Sequence, residues 1–526
     1  MLISRRAVLD YADRDFDSFT WMKRLTLEKM QRELASLRVK PRFKTDSWLH
    51  QLVCFYIAMC EPRFLFLLDM GLGKSKILAD IITQRQRERR LEGALVTVPR
   101  LINIDSWMDD LATHSDLEPW PVNVSDIEEK WERLAYPKGD LTLIDYQGLH
   151  WAVCSKKKKK KGTELVIDQK KVDHLCKQYN FLGLDESHKL GNHNSLWWAI
   201  LDKMSSRMEY TYATTGTLFG KNVEAVWSQF HIVDQGETFG ENLGLFRKTF
   251  FYTKNTGFGI KFIYDDHQDK LLNTMLQHRS IQYDETEVNE LPARVSRVKR
   301  FDMTHEQREH YLRAVDGLIN AQGTQSDLEA PWCRMRQIIS GYLAWKDDLG
   351  DHVLYFKENP KLQGLESLLD DLGSKKLVIS YEYTATGQMI SDFLTKAKIK
   401  HVWLYGGTKD RSATRRQFMQ DDDTKVFLMN SEAGGTGNDG LQKVCHYLLF
   451  FESPSNPITR KQTLKRIHRP GQEQRSFIYD FVTKGSLDKG ILEGITESTD
   501  IYESVVRGRG KAGSRGKLLD LLYGKA

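Results

Sequence analysis

Short apolar runs alternate with amphipathic stretches along most of the chain. The run that ends at Leu68 breaks into a glycine-rich turn, after which apolar residues from Ile77 to Ile82 recur at helical spacing. Strands that alternate with helices are typical of parallel sheets, so the pattern predicts an α/β protein. Further apolar runs of strand length occur at 94–99, 141–146, 181–185 and 210–214, and again at 376–381, 401–405 and 426–429.

The chain has 526 residues, too many for one ordinary hydrophobic core. The two series of alternating strands and helices predict two lobes, with charged, helix-like stretches between them around 304–320 and 326–345. The charged N-terminal segment carries leucines at near-helical spacing and is expected to be a peripheral helix. The predicted segments are a helical extension at 1–40, lobe one at 41–292, a helical insertion at 293–355, lobe two at 356–500 and a basic tail at 501–526.

The composition is that of a globular protein, with 40% hydrophobic and 11% aromatic residues. Lys and Arg outnumber Asp and Glu by 77 to 71, and the net charge of +6 is too small to indicate nucleic-acid binding by itself. The six cysteines include no Cys-x-x-Cys pair, which argues against a zinc site or a disulfide framework. No apolar stretch is long enough to span a membrane, and the N-terminus lacks a signal-peptide core. We therefore expect a soluble cytoplasmic protein without a membrane partner, in a bacterium or a virus-infected host, or a nuclear protein if the source is eukaryotic.

The glycine-rich turn predicts a nucleotide site. A strand, a glycine turn and a helix in this order let backbone N–H groups surround phosphate oxygens at the helix N-terminus. Lys74 would neutralise the β- and γ-phosphates, and the Ser75 hydroxyl would bind Mg²⁺. An ordinary helix cap is the structural alternative, and Leu68 stands where the generic P-loop has a glycine. The residues predicted to bind ATP here are Met70, Gly71, Leu72, Gly73, Lys74 and Ser75.

An acidic pair at the end of a later strand supports this prediction. Asp185 would bind Mg²⁺ directly or through water, and Glu186 would orient or deprotonate the attacking water. An Asp-Glu pair alone is common, but with the glycine turn it favours nucleotide hydrolysis. Gln51 precedes the turn and could hydrogen-bond an adenine edge, although a surface polar role is an equal alternative.

Two arginines in the second lobe complete the predicted chemistry. Arg466 and Arg469 are three residues apart on a predicted helix, so they are expected on one face. Two guanidiniums there could reach the γ-phosphate as arginine fingers. A solvated basic face is the alternative, but the second lobe has no P-loop of its own, which favours the finger role.

These motifs together resemble those of the Swi/Snf-like group of superfamily-two helicases, from about residue 41 to 490. The most specific matches are Asp185-Glu-Ser-His188 and Arg466-Ile-His-Arg-Pro-Gly-Gln472. The resemblance implies two tandem RecA-like lobes that hydrolyse ATP with Mg²⁺ in the cleft between them and move along double-stranded DNA. Other motifs fall in the family's order: Pro99 with Trp107, Thr215-Gly-Thr217 with Trp227, and Ala433-Gly-Gly-Thr-Gly437 with Leu441-Gln442.

The resemblance also implies roles for single residues. Gln51 would read adenine, and Gln462 would join the nucleotide site. Lys74, Asp185, Glu186, Arg466 and Arg469 would be catalytic. Coupling of hydrolysis to lobe movement would involve His188, Thr215, Gly216 and Thr217. The implied DNA contacts are Arg100, Gln147, Thr408, Ser431, Gly434, Gly435, Thr436 and Gln442.

The sequence departs from the family pattern at two places. Leu218 stands where proline is usual, and Ser455 stands where tryptophan is expected before Asn-Pro. No bromodomain, chromodomain, SANT-like or zinc-finger segment is evident, which favours a compact viral or bacterial enzyme over a nucleosome remodeller.

The leading hypothesis is an ATP-dependent translocase on duplex or branched DNA, acting in fork regression, branch migration or protein displacement. The alternatives are a motor subunit of a restriction or defence complex, an RNA helicase, and a nucleic-acid clamp without turnover. Partner proteins from replication, recombination or defence are not distinguished.

Two basic segments could contact phosphates without sequence specificity. The run Lys156–Lys161 predicts a solvated loop, for which nuclear import or simple solubility are alternative roles. The tail at 507–517 has five basic residues and no acidic one. We expect the tail to contribute more, because the lysine run lies between two strands.

Overall fold

The computed structural model describes residues 18–158, 163–218, 222–255, 260–288, 292–319, 325–347, 350–408, 410–431, 440–469, 471–493 and 495–496. These residues form two compact units, which divide between residues 288 and 292. The first unit contains helices α1 (Leu27–Ala35), α2 (Leu49–Cys60), α3 (Lys74–Arg87), α4 (Ile102–His114), α5 (Ile127–Ala135), α6 (Tyr146–Val153), α7 (Gln169–Gln178), α8 (Leu196–Ser205), α9 (Glu224–Asp234), α10 (Leu243–Phe250), α11 (Asp269–Leu276) and α12 (Glu285–Val288). Its strands are β1 (Arg63–Leu68), β2 (Ala94–Val98), β3 (Pro119–Pro121), β4 (Leu141–Asp145), β5 (Cys154–Lys158), β6 (Thr163–Ile167), β7 (Phe181–Asp185), β8 (Tyr210–Thr215), β9 (Phe251–Asn255), β10 (Ile260–Tyr264) and β11 (Ser280–Tyr283).

The first unit is built on a parallel sheet of seven strands in the order β11-β1-β8-β7-β2-β4-β3. Side chains of β1 alternate between two buried clusters, because successive residues of a strand point to opposite faces. Phe64, Phe66 and Leu68 enter one cluster, whereas Leu65 and Leu67 enter the other. Both faces are therefore covered, which explains why these strands read as continuous apolar runs.

The second unit has a parallel sheet of six strands in the order β12-β19-β18-β15-β17-β16. It also has buried clusters on both faces, with Leu377 and Ile379 in one and Val378 in the other. Its strands are β12 (Arg294–Phe301), β13 (Tyr342–Asp347), β14 (Gly350–Tyr355), β15 (Leu377–Tyr381), β16 (His401–Leu404), β17 (Val426–Asn430), β18 (Tyr447–Phe450) and β19 (Ser476–Thr483). Its helices are α13 (His305–Ile319), α14 (Gln325–Ser340), α15 (Pro360–Leu372), α16 (Thr384–Lys396), α17 (Arg411–Gln420) and α18 (Pro457–Leu464).

These two parallel sheets and their helices confirm the predicted α/β class. The expectation of a purely helical insertion at 293–355 is wrong in part. Its two helices are present as α13 and α14, but β12 is an edge strand of the second sheet and β13 pairs with β14 in a hairpin. The sequence did not predict β12 because Val295 and Val298 are three residues apart, which does not match the period of two of a strand, and basic residues surround them.

Two further expectations change with the structure. The N-terminal segment is helical at 20–24 and 27–35 but is not peripheral, because Met22 and Met30 are buried in the core of the first unit. The lysine run is not simply a loop, since its first three residues lie in β5 and pair antiparallel with β6. Within the described part of the chain, no helix is long and apolar enough to cross a membrane.

Candidate nucleotide site

The glycine turn lies between β1 and α3, at the edge of the sheet where parallel strands end. Gly71 and Gly73 have φ values of 85° and 77°, a left-handed conformation that favours glycine. A Cβ atom at Gly73 would lie 2.3 Å from Gln51 Nε2, so a side chain there would also collide with α2. The helix begins directly afterwards at Lys74, with the N–H groups of its first turn available to phosphate oxygens.

Two side chains of α2 hold this turn through one carbonyl group. His50 Nε2 and Gln51 Nε2 lie 2.8 and 3.2 Å from the Leu72 carbonyl oxygen. Burial lowers the pKa of His50, so the neutral ring donates this bond. Gln51 Oε1 accepts the Trp48 backbone N–H at 3.0 Å. One end of the Gln51 amide therefore holds the glycine turn and the other caps α2, and adenine recognition by Gln51 stays a prediction.

Lys74 and Glu186 form an ion pair at the centre of the site. The Lys74 ammonium lies 2.5 Å from Glu186 Oε1, and the two side chains are only 11% and 14% exposed. Burial alone would raise the pKa of Glu186, but the Lys74 ammonium and the hydrogen bond from His188 outweigh it and hold this pKa well below its usual range. Glu186 also has a φ of 51°, an uncommon left-handed conformation for a residue with a side chain. The carboxylate is thus ionised and held opposite Lys74.

Asp185 is the last residue of β7, two strands from β1 in the sheet, and is held by two donors. Trp107 Nε1 donates to its Oδ2 at 3.0 Å, and Thr214 Oγ1 donates to its Oδ1 at 3.1 Å. Burial, and then the adjacent Glu186 carboxylate, raise the pKa of Asp185. A buried carboxylate of this kind is stabilised by a cation, and oxygen ligands such as Asp185 and Ser75 suit Mg²⁺.

The residues predicted to couple hydrolysis to movement surround Glu186. His188 Nδ1 lies 3.2 Å from Glu186 Oε2 and 3.2 Å from Thr215 Oγ1. Thr215 Oγ1 is 3.3 Å from the same carboxylate oxygen and donates to the Thr217 carbonyl at 2.9 Å. Gly216 runs close to β1, where a Cβ atom would lie 3.2 Å from the Leu68 carbonyl oxygen. The end of β8 is therefore connected directly to the Glu186 carboxylate.

The second unit places Arg466 and Arg469 differently from expectation. Helix α18 ends at Leu464, so both arginines lie in the turns that follow it, and their placement on one helical face is wrong. Proline at 470 disfavours helical geometry at the preceding residue, and the backbone N–H of Arg466 bonds to Thr463 in a tight turn. The Arg466 side chain is fully buried, whereas Arg469 is half-buried. Gln462 is half-buried on α18.

Gln472 fixes the turn that carries these arginines. Its Nε2 donates to the Ile467 and Cys445 carbonyl groups at 2.9 and 3.2 Å, and its Oε1 lies 2.8 Å from His446 Nδ1. The turn is thereby joined to the residues just before β18. Gln472, the last residue of the motif, therefore holds the turn in place.

Comparison with known proteins decides the family. The model of the SNF2-related domain matches residues 47–341, which is more than half of the chain. The chain belongs to the SNF2-related family. Membership confirms the resemblance to Swi/Snf-like superfamily-two enzymes and the predicted class of ATP-hydrolysing enzyme. It does not show the viral or bacterial type.

Individual SNF2-related proteins match over shorter stretches. The chromatin-remodelling ATPase INO80 of Aspergillus clavatus is 29% identical over 163 residues, which is 30% of this chain and 9% of that protein. INO80 of Aspergillus niger is 27% identical over 199 residues, which is 37% of this chain and 10% of that protein. The aligned stretch thus spans about a tenth of the length of these curated relatives.

Among solved structures, the Sulfolobus solfataricus SWI2/SNF2 ATPase core in complex with double-stranded DNA is 17% identical and covers 92% of this chain and 97% of that chain, with a TM-score of 0.38.

The residues that the family resemblance assigns to DNA contact have varied surroundings. Gln147 is exposed at the start of α6, and Arg100 is half-buried after β2. Thr408 closes the turn after β16, where its hydroxyl accepts the Tyr405 N–H at 3.0 Å. Ser431 and Gln442 are buried, so a contact from either side chain to DNA requires local movement. Gly434, Gly435 and Thr436 lie outside the described residues, as does the tail at 507–517.

One acidic residue that the sequence motifs do not indicate also reaches the glycine turn. Asp110 on α4 accepts the hydroxyl proton of Ser75. Its signal in the sequence is its spacing, because residues three apart share a helix face and Trp107 also reaches the site. No group of three or more His, Cys, Asp or Glu side chains that could hold a metal occurs in the described ranges.

Proposed function

We propose that this chain is an ATP-driven translocase that moves along double-stranded DNA. The observation that supports it most is the ion pair between Lys74 and Glu186, which joins the phosphate-binding lysine to the catalytic carboxylate at 2.5 Å. Membership of the SNF2-related family supports duplex DNA as the track.

The first unit accounts for the hydrolytic steps. Lys74 leaves Glu186 to bind the β- and γ-phosphates at the N-terminus of α3, where backbone N–H groups also point. Glu186 then becomes free to accept a proton from the attacking water. Ser75 and Asp185 would hold Mg²⁺, which neutralises charge on the phosphates when bound. Two arginines of the second unit, Arg466 and Arg469, would stabilise the transition state as arginine fingers.

The change at Glu186 can be communicated through the end of β8. The Thr215 hydroxyl and the His188 ring both contact the Glu186 carboxylate, so loss of the lysine partner alters their hydrogen bonds directly. Thr215 is the last residue of that strand, and a small backbone shift in the residues after it needs no break in the sheet. We infer that this segment transmits nucleotide state to DNA-binding loops.

The finer assignments belong to the same proposal. Fork regression, branch migration and displacement of bound protein are each consistent with a duplex translocase. Branched DNA and proteins of replication, recombination or defence are proposed partners. The proposed location is the cytoplasm, or the nucleus in a eukaryotic source. A defence-complex motor and an RNA helicase remain alternatives, whereas the assembled hydrolytic site argues against a clamp without turnover.

A comparison of nucleic acids tests the proposal. Steady-state ATP hydrolysis would be measured for the full chain with single-stranded, duplex, forked and four-way DNA and with RNA, using Lys74→Ala as the inactive control. We expect duplex or branched DNA to stimulate turnover most. Equal stimulation by single-stranded DNA, or stronger stimulation by RNA, would contradict duplex translocation. Displacement of a third strand from a DNA triplex would then show movement along the duplex.

A further inference from the structure

One helix supplies partners to both of the oxygen ligands proposed for Mg²⁺. Trp107 on α4 donates its indole N–H to Asp185, and Asp110, one turn later, accepts the hydroxyl proton of Ser75. The two partners lie on the same face of α4, because residues three apart in a helix are neighbours. The helix therefore contacts both the P-loop helix and the end of β7.

The direction of the Ser75 hydrogen bond has a chemical consequence. A hydroxyl group has one proton to donate and two lone pairs, and a metal ion takes a lone pair. The proton needs an acceptor on the other side of the oxygen. Asp185 already accepts one hydrogen bond at each carboxylate oxygen, from Trp107 and Thr214. Asp110 is the acceptor that the structure shows.

We propose that Asp110 is a positioning residue of the magnesium site, which holds the Ser75 proton so that the oxygen lone pairs remain directed to the metal. This inference rests on the proposed function. Outer partners of this kind orient metal ligands, and their loss typically costs about 10- to 100-fold in metal affinity.

The neighbouring residue provides a matched control. Asp109 has the same side chain on the same helix but is exposed, whereas Asp110 is half-buried against the site. A general effect of removing negative charge from α4 would appear in both variants. An effect transmitted through Ser75 would appear only at Asp110.

The test measures how nucleotide affinity depends on Mg²⁺. Fluorescent ATP would be titrated against the full chain at a series of Mg²⁺ concentrations and in EDTA. We expect Asp110→Ala to raise the Mg²⁺ concentration at the midpoint by about 10- to 100-fold and to leave affinity in EDTA within twofold. Asp109→Ala should match the wild type. Asp110→Asn keeps the side-chain shape and an acceptor oxygen, but a neutral amide oxygen accepts the Ser75 proton more weakly than a carboxylate does. It should therefore raise the midpoint by several-fold even if the alanine variant does not fold.

A second arm separates positioning of Ser75 from a direct effect. In a Ser75→Ala background, Asp110→Ala should change the midpoint by less than twofold, because the group through which it acts is gone. An unchanged midpoint in both Asp110 variants, or a full additional shift in the Ser75→Ala background, would overturn the inference. A wild-type chain without Mg²⁺-dependent nucleotide affinity would instead overturn the proposed function.

Discussion

Replacing Glu186 by Gln should have opposite effects on nucleotide binding and on hydrolysis. The Lys74–Glu186 ion pair must break before Lys74 can bind phosphate, so the pair competes with the nucleotide. Hydrogen bonds with a charged partner contribute about 1.5–3 kcal/mol. A glutamine keeps the shape of the side chain but lacks the charge, so ATP should bind about 10- to 100-fold more tightly, at 1.4 kcal/mol for each factor of ten. Turnover should fall by about 10²- to 10⁴-fold, because the carboxamide cannot accept a proton.

Two measurements on one protein preparation give both numbers. Equilibrium titration with a fluorescent ATP analogue and Mg²⁺ gives the affinity, and steady-state hydrolysis with duplex DNA gives turnover. Glu224→Gln is the matched control, because Glu224 forms a comparable ion pair with Arg247 at 2.9 Å in the same unit and is 15% exposed. That variant should change neither quantity, although its thermal stability should fall. Unchanged or weaker ATP affinity in Glu186→Gln would refute competition by the ion pair, and near-normal turnover would remove Glu186 from the chemistry.

Three other predictions concern the second unit and the basic segments. Arg469→Lys keeps the charge but not the planar fork, so turnover should fall on the order of 10³-fold with DNA affinity retained; a loss below about tenfold would count against a finger role. Deleting 507–517 should reduce the slope of log binding constant against log salt concentration on duplex DNA by about 0.9 for each phosphate that the tail neutralises. Deleting 156–161 should leave that slope unchanged. An unchanged slope without the tail would reject the tail as a DNA-binding segment. Burial, and then the charges of Arg294 and Lys465, lower the pKa of His468 to about 4 in the folded chain. Between pH 6.5 and 4 the His468 ring therefore takes up a proton in the unfolded chain but not in the folded chain. Stability should therefore fall as the pH is lowered through that window, and His468→Gln should reduce the slope of thermal midpoint against pH; the wild-type slope in that variant would contradict this.

The sequence was sufficient to locate the residues proposed for hydrolysis because they lie at or next to strand ends. The glycine turn directly follows one apolar run, and Asp185 is the last residue of another. A few neighbouring residues were therefore enough to predict that both lie at strand ends. The parallel sheet then brings Lys74, Glu186 and Thr215 together, since their strands are adjacent and end at one edge. Asp110 escaped because its role depends on contact between two helices rather than on a motif.

The elements that were predicted wrongly have different physical causes. The spacing of Arg466 and Arg469 predicts a common helical face, but the proline at 470 disfavours helical geometry at the residue before it. The charged composition around Met22 and Met30 suggested a surface helix, although the two methionines fill the core near Phe55 and Phe64. Strand β12 is half-exposed, so its pattern was weak, and the strand that pairs with it comes only at residues 476–483.

This pairing of β12 with β19 affects the order in which the chain can fold during synthesis. All seven strands of the first sheet have been made once residue 283 leaves the ribosome, so that sheet can close early. The second sheet can close only when residue 483 has emerged, because β12 neighbours β19 alone. Until then β12 is an unpaired strand, and its Arg294, Arg297, Lys299 and Arg300 side chains would discourage association with other nascent strands. The positive charge of this edge would then protect the newly made chain before it takes any part in the finished enzyme.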